Sequence, residues 1–425
     1  MFDILHRMDQ GVLDMDRAVL HCDLNNFYAS VECLYRPELA GLPVAVCGDI
    51  EQRHGIVLAK NLVAKRAGIT TGEAIWQARQ KCPKLVVVTP TFGLYLRFSR
   101  AVREIYSRYT PYIEAFGIDE CWLDVTDNVR AGGDAEEIAH AIRNAVKEEI
   151  GITLSAGVSW NKVFAKLGSD LKKPDAVTVI TKDNFREKVW SLPASELLYV
   201  GRATWRKFQN WNILTIGALA NTPVEDLRGL LGKWGETLHM FANGWDAEPV
   251  NVMDYEDEVK GVGNSITTPR DVACEADARQ VIYALSESVA ERMRNKGLMG
   301  TVVQVWLRDV DLGSFTRQRV LKKPTCLAQD MAGNAIDLLR KNWFWEKPLR
   351  SLGVRMSGLY TEKDGRQVSL LIGREEKQEA LERSIDEIRK RFGHASVKRA
   401  MMLQDPGLDP DTNAPDSANR VAFLR

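Results

Sequence analysis

Three carboxylates stand where this chain turns out of short apolar runs. Asp23 follows the run Ala18–Cys22, and Asp119 with Glu120 occupies a tight Gly-Ile-Asp-Glu connection between Ile113–Phe116 and Cys121–Val125. A single acid in a turn is ordinarily just solvated. Three together carry the oxygen donors that a pair of hard divalent cations needs. Two such ions about 3.5 to 4 Å apart activate a hydroxyl and hold a leaving oxygen in line during phosphoryl transfer. Strand ends hold such ligands rigidly. Spacing alone does not bring Asp23 to Asp119, so metal-assisted phosphoryl transfer and three unrelated turn acids both stay open at this point.

The elements around these acids alternate. Ala18–Cys22 reads as a strand and Asn25–Leu34 as a helix, with Asn25 expected to act as a plain cap. Strands are expected at 42–47, 55–59, 85–89 and 153–158, and helices at 62–68, 94–109 and 134–150. This mixture predicts an α+β sheet with helices on one face.

Length and composition exclude several classes. At 425 residues, 45% apolar and 27% charged, the chain is globular and long enough for about two to four domains. No run approaches the roughly 20 apolar residues of a membrane helix. Residues 1–15 interleave acids and bases with apolar residues, lack a secretory core, and are expected to form an extension without an assigned role. Seven cysteines without a C-x-x-C pair fit reduced thiols and a cytoplasmic location, not a zinc ribbon or disulfide framework. Gly261-Val262-Gly263 lacks the third glycine of a dinucleotide fingerprint, and Gly232-Lys233 lacks the hydroxyl residue of a P-loop. His21, His54 and His140 share no ligand spacing and are expected in surface or capping roles.

The 57 basic and 57 acidic residues cancel, but not locally. Residues 246–259 hold six acids and no base and read as a linker. Residues 260–359 hold 16 Lys or Arg against 10 Asp or Glu, the balance of a module that reaches for a polyanion. Helices at 276–295 and 330–341 with strands at 302–307 and 352–357 point to a ferredoxin-like unit there. A charged helix is expected from 375 to 392, and the stretch 405–419 reads as a loose tail.

The wording of three segments is more specific than their spacing. Residues 20–32 (LHCDLNNFYASVE), 116–124 (FGIDECWLD) and 155–174 (SAGVSWNKVFAKLGSDLKKP) resemble, in order and spacing, the motifs of Y-family translesion DNA polymerases. The bacterial DNA polymerase IV branch is the nearest in pattern, over about residues 18–400. The resemblance implies a right-hand polymerase with a small helical thumb and a ferredoxin-like little finger. The palm would be 16–25 and 91–180, the fingers 26–90, the thumb 181–245, the acidic linker 246–259 and the little finger 260–360. A clamp-binding segment, a helix and a tail would fill 361–425.

By position, the resemblance assigns Asp23 and Asp119 to both of two Mg²⁺ ions, with Mn²⁺ a possible substitute. Glu120 falls to the ion at the primer 3′-hydroxyl, and Leu24 binds through its backbone carbonyl. Tyr28 falls at the steric gate against a ribose 2′-hydroxyl, with Phe27 beside it. Lys65 and Lys173 fall at the triphosphate, and Lys166 is a weaker candidate for it. The family usually has Tyr and Arg where this chain has Leu62 and Lys65, and Lys lacks the bidentate fork of Arg. In the helix–hairpin–helix expected at 194–202, only Gly201 keeps the turn pattern. Gln367, Leu370 and Leu371 resemble the peptide by which such polymerases dock on the sliding clamp. The implied activity is template-directed, error-prone DNA synthesis by a monomer without a 3′–5′ exonuclease, on primer–template DNA and deoxynucleoside triphosphates. A catalytically inactive DNA-binding homologue and a nucleotidyl cyclase on a related palm are the competing classes. Primer extension, and incubation with ATP or GTP alone, separate them.

Overall fold

Short, largely apolar runs make the fully buried strands of the first part of the chain, VLHCDL, VAVC and LSAGVS. The computed structural model describes residues 17–39, 41–49, 53, 55–253, 255, 258–361 and 374–408. Over these the chain divides into two units, one drawn from Met1–Val46 and Val57–Glu256, the other from Cys47–Ile56 and Asp257–Arg425.

The first unit opens with β1 (Val19–Leu24), α1 (Phe27–Tyr35), β2 (Val44–Cys47), β3 (Val57–Lys60), α2 (Leu62–Arg66), α3 (Ile75–Lys81) and β4 (Val86–Val88). It continues through α4 (Phe92–Tyr106), β5 (Ile113–Ala115), β6 (Glu120–Asp124), α5 (Thr126–Arg130) and α6 (Ala135–Glu149). β7 (Leu154–Ser159), α7 (Lys162–Leu171) and β8 (Val177–Val179) complete a five-stranded sheet of order β5-β6-β1-β7-β8. β1 lies at its centre and is buried along its whole length, which is why it reads as an almost unbroken apolar run. β2, β3 and β4 form a separate three-stranded sheet, of order β3-β2-β4.

The two faces of the central sheet are covered differently. α4 and α6 pack Tyr95, Val102, Ile105, Ile142 and Val146 against Leu20, Cys22 and Leu123. α7 sits unusually close on β7: a Cβ at Gly157 would lie 1.9 Å from the Ala165 carbonyl oxygen and 2.4 Å from the Ser169 nitrogen. Only glycine permits this approach, and the approach carries Lys166 over the sheet end. Gly157→Ala must therefore push helix from strand. We expect a loss of about 3 kcal/mol and a melting temperature lower by roughly 6 to 12 °C. An unchanged thermal transition would show that the helix is not pinned there.

Five short helices follow: α8 (Phe185–Val189), α9 (Arg202–Asn210), α10 (Ile216–Asn221), α11 (Val224–Leu231) and α12 (Lys233–Ala242). They share a core of Phe164, Phe208, Ile216, Leu227 and Leu238. The acidic stretch after them is not a free linker as far as Met253. Val250, 5% exposed, packs with Val19, Trp122 and Ala165. Arg17 donates to the Glu248 carbonyl at 3.1 Å, the Asn251 amide donates to Glu114 Oε2 at 2.9 Å, and the Met253 amide donates to the Pro111 carbonyl at 3.2 Å. One apolar side chain and main-chain bonds seat this strap on the sheet in spite of its acids.

The second unit runs β9 (Gly261–Val272), α13 (Glu275–Asn295), β10 (Leu298–Asp309), β11 (Ser314–Thr325), α14 (Ala328–Asn342), β12 (Leu349–Thr361) and α15 (Arg374–Phe392). The β-α-β-β-α-β run makes an antiparallel sheet of order β11-β10-β12-β9, with α13 and α14 packed into one core against it. The expected loose tail does not begin at Asp405. Leu408, 1% exposed, belongs to this core, and Gln280 donates to the Asp405 carbonyl at 2.6 Å. α15 is held through charges: Arg294 pairs with Glu382 at 2.5 Å and Asp386 at 2.7 Å. Gln367, Leu370 and Leu371 lie outside the described residues.

Candidate active site

Register brings the acids together. β1 is antiparallel to both neighbours, placing Asp23 opposite Glu120 on β6 and Ser155 on β7. The Leu24 amide donates to the Asp119 carbonyl at 3.0 Å, which fixes the main chain at Leu24 beside the second acid. The sequence expectation for Asp23, Leu24, Asp119 and Glu120 thus maps onto one end of the central sheet.

Two lysines converge on the same place. Lys166 Nζ lies 2.9 Å from Glu120 Oε2 and 3.4 Å from Asp23 Oδ2; Lys173 Nζ lies 2.8 Å from Asp23 Oδ2. Asp170 pairs with both lysines as well, 2.7 Å from Lys173 and 3.3 Å from Lys166. Both ammoniums are raised above the ordinary lysine range, because their carboxylate partners outweigh the effect of burial. Lys166, the weaker expectation, is thus as central as Lys173. Lys65 is not part of this cluster. It stands exposed on α2, and burial followed by the Lys65 charge pushes the neighbouring Lys60 down.

The three acids are not alike. Burial, then the charges of Asp23 and Glu120, raise the Asp119 carboxyl to about 6. Burial likewise raises Asp23, against the pull of Lys173. Glu120 goes the other way: burial opposes its ionisation, but the His21 ring and the Lys166 ammonium hold it well below the usual range. His21 was expected at the surface, yet it is fully buried in β1 and held neutral near neutral pH, its pKa lowered by burial to about 4. Its Nδ1 meets Ser169 Oγ at 2.8 Å, and its Nε2 stands 3.4 Å from Glu120 Oε2 without a regular hydrogen bond.

The donor set fits hard divalent cations. It offers carboxylate and carbonyl oxygens, and burial, then the charges of Asp23 and Glu120, raise Asp119 although the Lys166 ammonium opposes them. Among the described residues, no three His, Cys, Asp or Glu side chains are already gathered as a metal cluster. Lys166 instead bridges Asp23 and Glu120.

Asn25 does not cap the helix. Asn26 is the residue at the start of α1, in a left-handed conformation with φ 50°. Asn25 is buried and bonds to Thr153, Ser155 and Asp175. Tyr28 is half-buried, its ring stacked on Tyr95 at 4.3 Å and edge-on to Phe92 at 5.9 Å. Burial, then the Asp119 charge, raise its hydroxyl, which places it near the acids. Phe27 is 2% exposed inside the core, so of these two aromatic residues only Tyr28 has ring surface left for a ligand. Sequence reasoning missed Tyr95, Ser169, Asp170 and the importance of His21. A histidine in the middle of an apolar strand was the available signal.

The described residues contain no helix long and apolar enough to cross a membrane, and the seven cysteines are free. Residues 22–170 match the model of the impB/mucB/samB family, and residues 259–370 match that family's C-terminal domain. A DNA polymerase IV of Acetivibrio thermocellus is 51% identical over 397 residues, covering 93% of this chain and all of that protein. A DNA polymerase IV of Moorella thermoacetica is 37% identical, covering 93% of this chain and 99% of its own. A solved Y-family DNA polymerase chimera superimposes with a TM-score of 0.70 at 24% identity, over 81% of this chain and 99% of that one. That likeness establishes a fold of the Y-family type, α+β in palm, fingers, thumb and little finger. On these matches, the chain belongs to the impB/mucB/samB family, among its DNA polymerase IV members.

Proposed function

We propose that this protein extends a primer 3′-hydroxyl on a DNA template, adding deoxynucleotides by phosphoryl transfer in the error-prone synthesis that tolerates damaged template. The observation that carries the reading is the convergence of Asp23, Asp119, Glu120, Lys166 and Lys173 at one sheet end, with the Tyr28 ring nearby.

Asp23, Asp119 and the Leu24 carbonyl would hold two divalent ions, Mg²⁺ or Mn²⁺, with Glu120 reserved for the one at the primer. Such ions, when bound, lower the pKa of the attacking hydroxyl and offset charge on the leaving oxygen. The protein's own groups do the rest. Lys166 and Lys173 supply positive charge to the triphosphate, with Lys65 a further cation on the fingers. Tyr28 bars a 2′-hydroxyl. The central sheet and residues 91–180 serve as palm, 26–90 as fingers, 181–245 as thumb and 260–360 as little finger. The basic second unit grips phosphates without reading bases, so affinity falls with salt. The protein acts as a monomer in the cytoplasm, a setting its free cysteines support.

Primer extension with Mg²⁺ on intact and lesion-bearing templates is the test. Binding of primer–template without extension would instead favour the inactive homologue. Product from ATP or GTP alone, without DNA, would favour the cyclase.

We further propose that Gln367, Leu370 and Leu371 dock on the sliding clamp. On a primed circle with loaded clamp, a Gln367→Ala, Leu370→Ala, Leu371→Ala protein should lose clamp stimulation and keep its clamp-free extension. Equal stimulation of wild type and variant would move the contact elsewhere.

A further inference from the structure

Asn25 sits where four pieces of the site meet, and its bonding capacity is nearly used up. Its Oδ1 accepts from Thr153 Oγ1 at 3.0 Å and from the Asp175 amide at 2.8 Å; its Nδ2 donates to Ser155 Oγ at 3.0 Å. Its own amide donates to the Thr153 carbonyl at 2.9 Å, and its carbonyl accepts from Ser30 Oγ at 2.7 Å. The residue is 5% exposed. These bonds tie the end of β1 to the start of α1, to the start of β7 and to the loop after α7.

That loop carries Lys173 two residues before Asp175. Asp175 has a left-handed φ of 53°, and its carboxylate is also held by Lys147 at 2.8 Å. The Asn25 bond is thus a buried anchor of the loop, beside a part-buried contact from Arg143 to the Asp175 carbonyl at 3.4 Å and the exposed Lys147 pair. An amide suits this position because it meets two donors and one acceptor without charge.

We infer that Asn25 is a positioning residue that acts through Lys173. It holds the loop so that the ammonium faces the triphosphate of the incoming nucleotide. This rests on the polymerase reading above and deepens it.

The test measures nucleotide affinity without turnover, as the Kd of the complementary deoxynucleoside triphosphate on a dideoxy-terminated primer–template. Asn25→Ala should weaken binding about tenfold, by loss of a buried anchor. Asn25→Asp keeps both acceptor bonds and should stay within about threefold of wild type. The Asn25→Ala, Lys173→Ala double variant should bind no more weakly than Lys173→Ala, because the two act as one unit. A merely structural role would lower the melting temperature and the active fraction while leaving the Kd of the folded protein alone. Thr153→Val removes a single bond to Asn25 and covers the case in which Asn25→Ala does not fold; it should weaken binding about two- to threefold. Wild-type affinity in Asn25→Ala or in Thr153→Val, or full additivity in the double variant, would overturn the assignment. A wild-type protein that neither extends a primer nor binds nucleotide would overturn the polymerase reading itself, which is a distinct result.

Discussion

Primer extension should fall at least about a thousandfold in Asp119→Ala and in Glu120→Ala, because on the proposed mechanism each would supply an oxygen ligand to the reacting centre. Primer–template affinity, measured by fluorescence anisotropy, should stay within about twofold, since neither acid is placed to grip phosphates. The two substitutions should differ in stability. Asp119 is raised to about 6 by burial and by its acidic neighbours, so folding favours its protonated form. Its contribution is fully present below its unfolded value, near 4, and is lost as pH rises toward 6. In the presence of EDTA at pH 7, Asp119→Ala should therefore melt no lower than wild type, and its relative advantage should shrink below pH 4. Glu120→Ala removes the nearest of three carboxylate partners of Lys166 and should melt lower. Near-wild-type extension in Asp119→Ala would end the active-site assignment.

Ribonucleotide exclusion should collapse by ~100-fold or more in Tyr28→Ala, since on the proposed reading the exclusion is steric and the Tyr28 ring is its source. The ring has little freedom to swing aside. It lies nearly parallel to Tyr95, at 9°, and the Tyr95 hydroxyl is fixed by donating to Glu32 at 2.6 Å and accepting from the Thr91 amide at 3.0 Å. Tyr95→Phe should therefore blunt discrimination partially, by loosening the support. Phe27→Ala should destabilise the fold without changing sugar choice, because its ring is in the core. Single-nucleotide incorporation, compared as kcat/KM for deoxy and ribo substrates, reads these effects. An unchanged ratio in Tyr28→Ala would move the gate to another residue.

What could be read in advance follows from which signals are local. The strand holding Asp23 and the turn holding Asp119 and Glu120 are apolar runs broken by acids, and both were found within a few residues of their observed bounds. Convergence of those acids was not local: the motif resemblance implied it, and the antiparallel register of β1 with β6 that produces it is visible only in the structure. Asn25 was misread because a polar residue before a helix has the same sequence appearance whether it caps or is buried. The strap through Val250 was misread because six acids dominate the composition of 246–259 and nothing in it marks Val250, rather than the exposed Val252, as the buried valine. The inner face of α15 was hidden for a related reason, since Glu382 and Arg389 are buried there as ion pairs. Hydrophobic periodicity does not register a face made of charges.

The strap also determines how mechanical load enters the catalytic sheet. Without it, tension on the chain beyond Met253 would act first on α12 and unravel the helical group from its end. With Glu248, Asn251 and Met253 bonded to Arg17, Glu114 and Pro111, the tension is delivered instead to the sheet and its flanking segments. Glu114 is itself clamped by the buried Lys162 at 2.7 Å, so the force continues into α7. The helical group is thereby shielded, and a pull at Met253 is borne by the sheet that also holds Asp23 and Glu120.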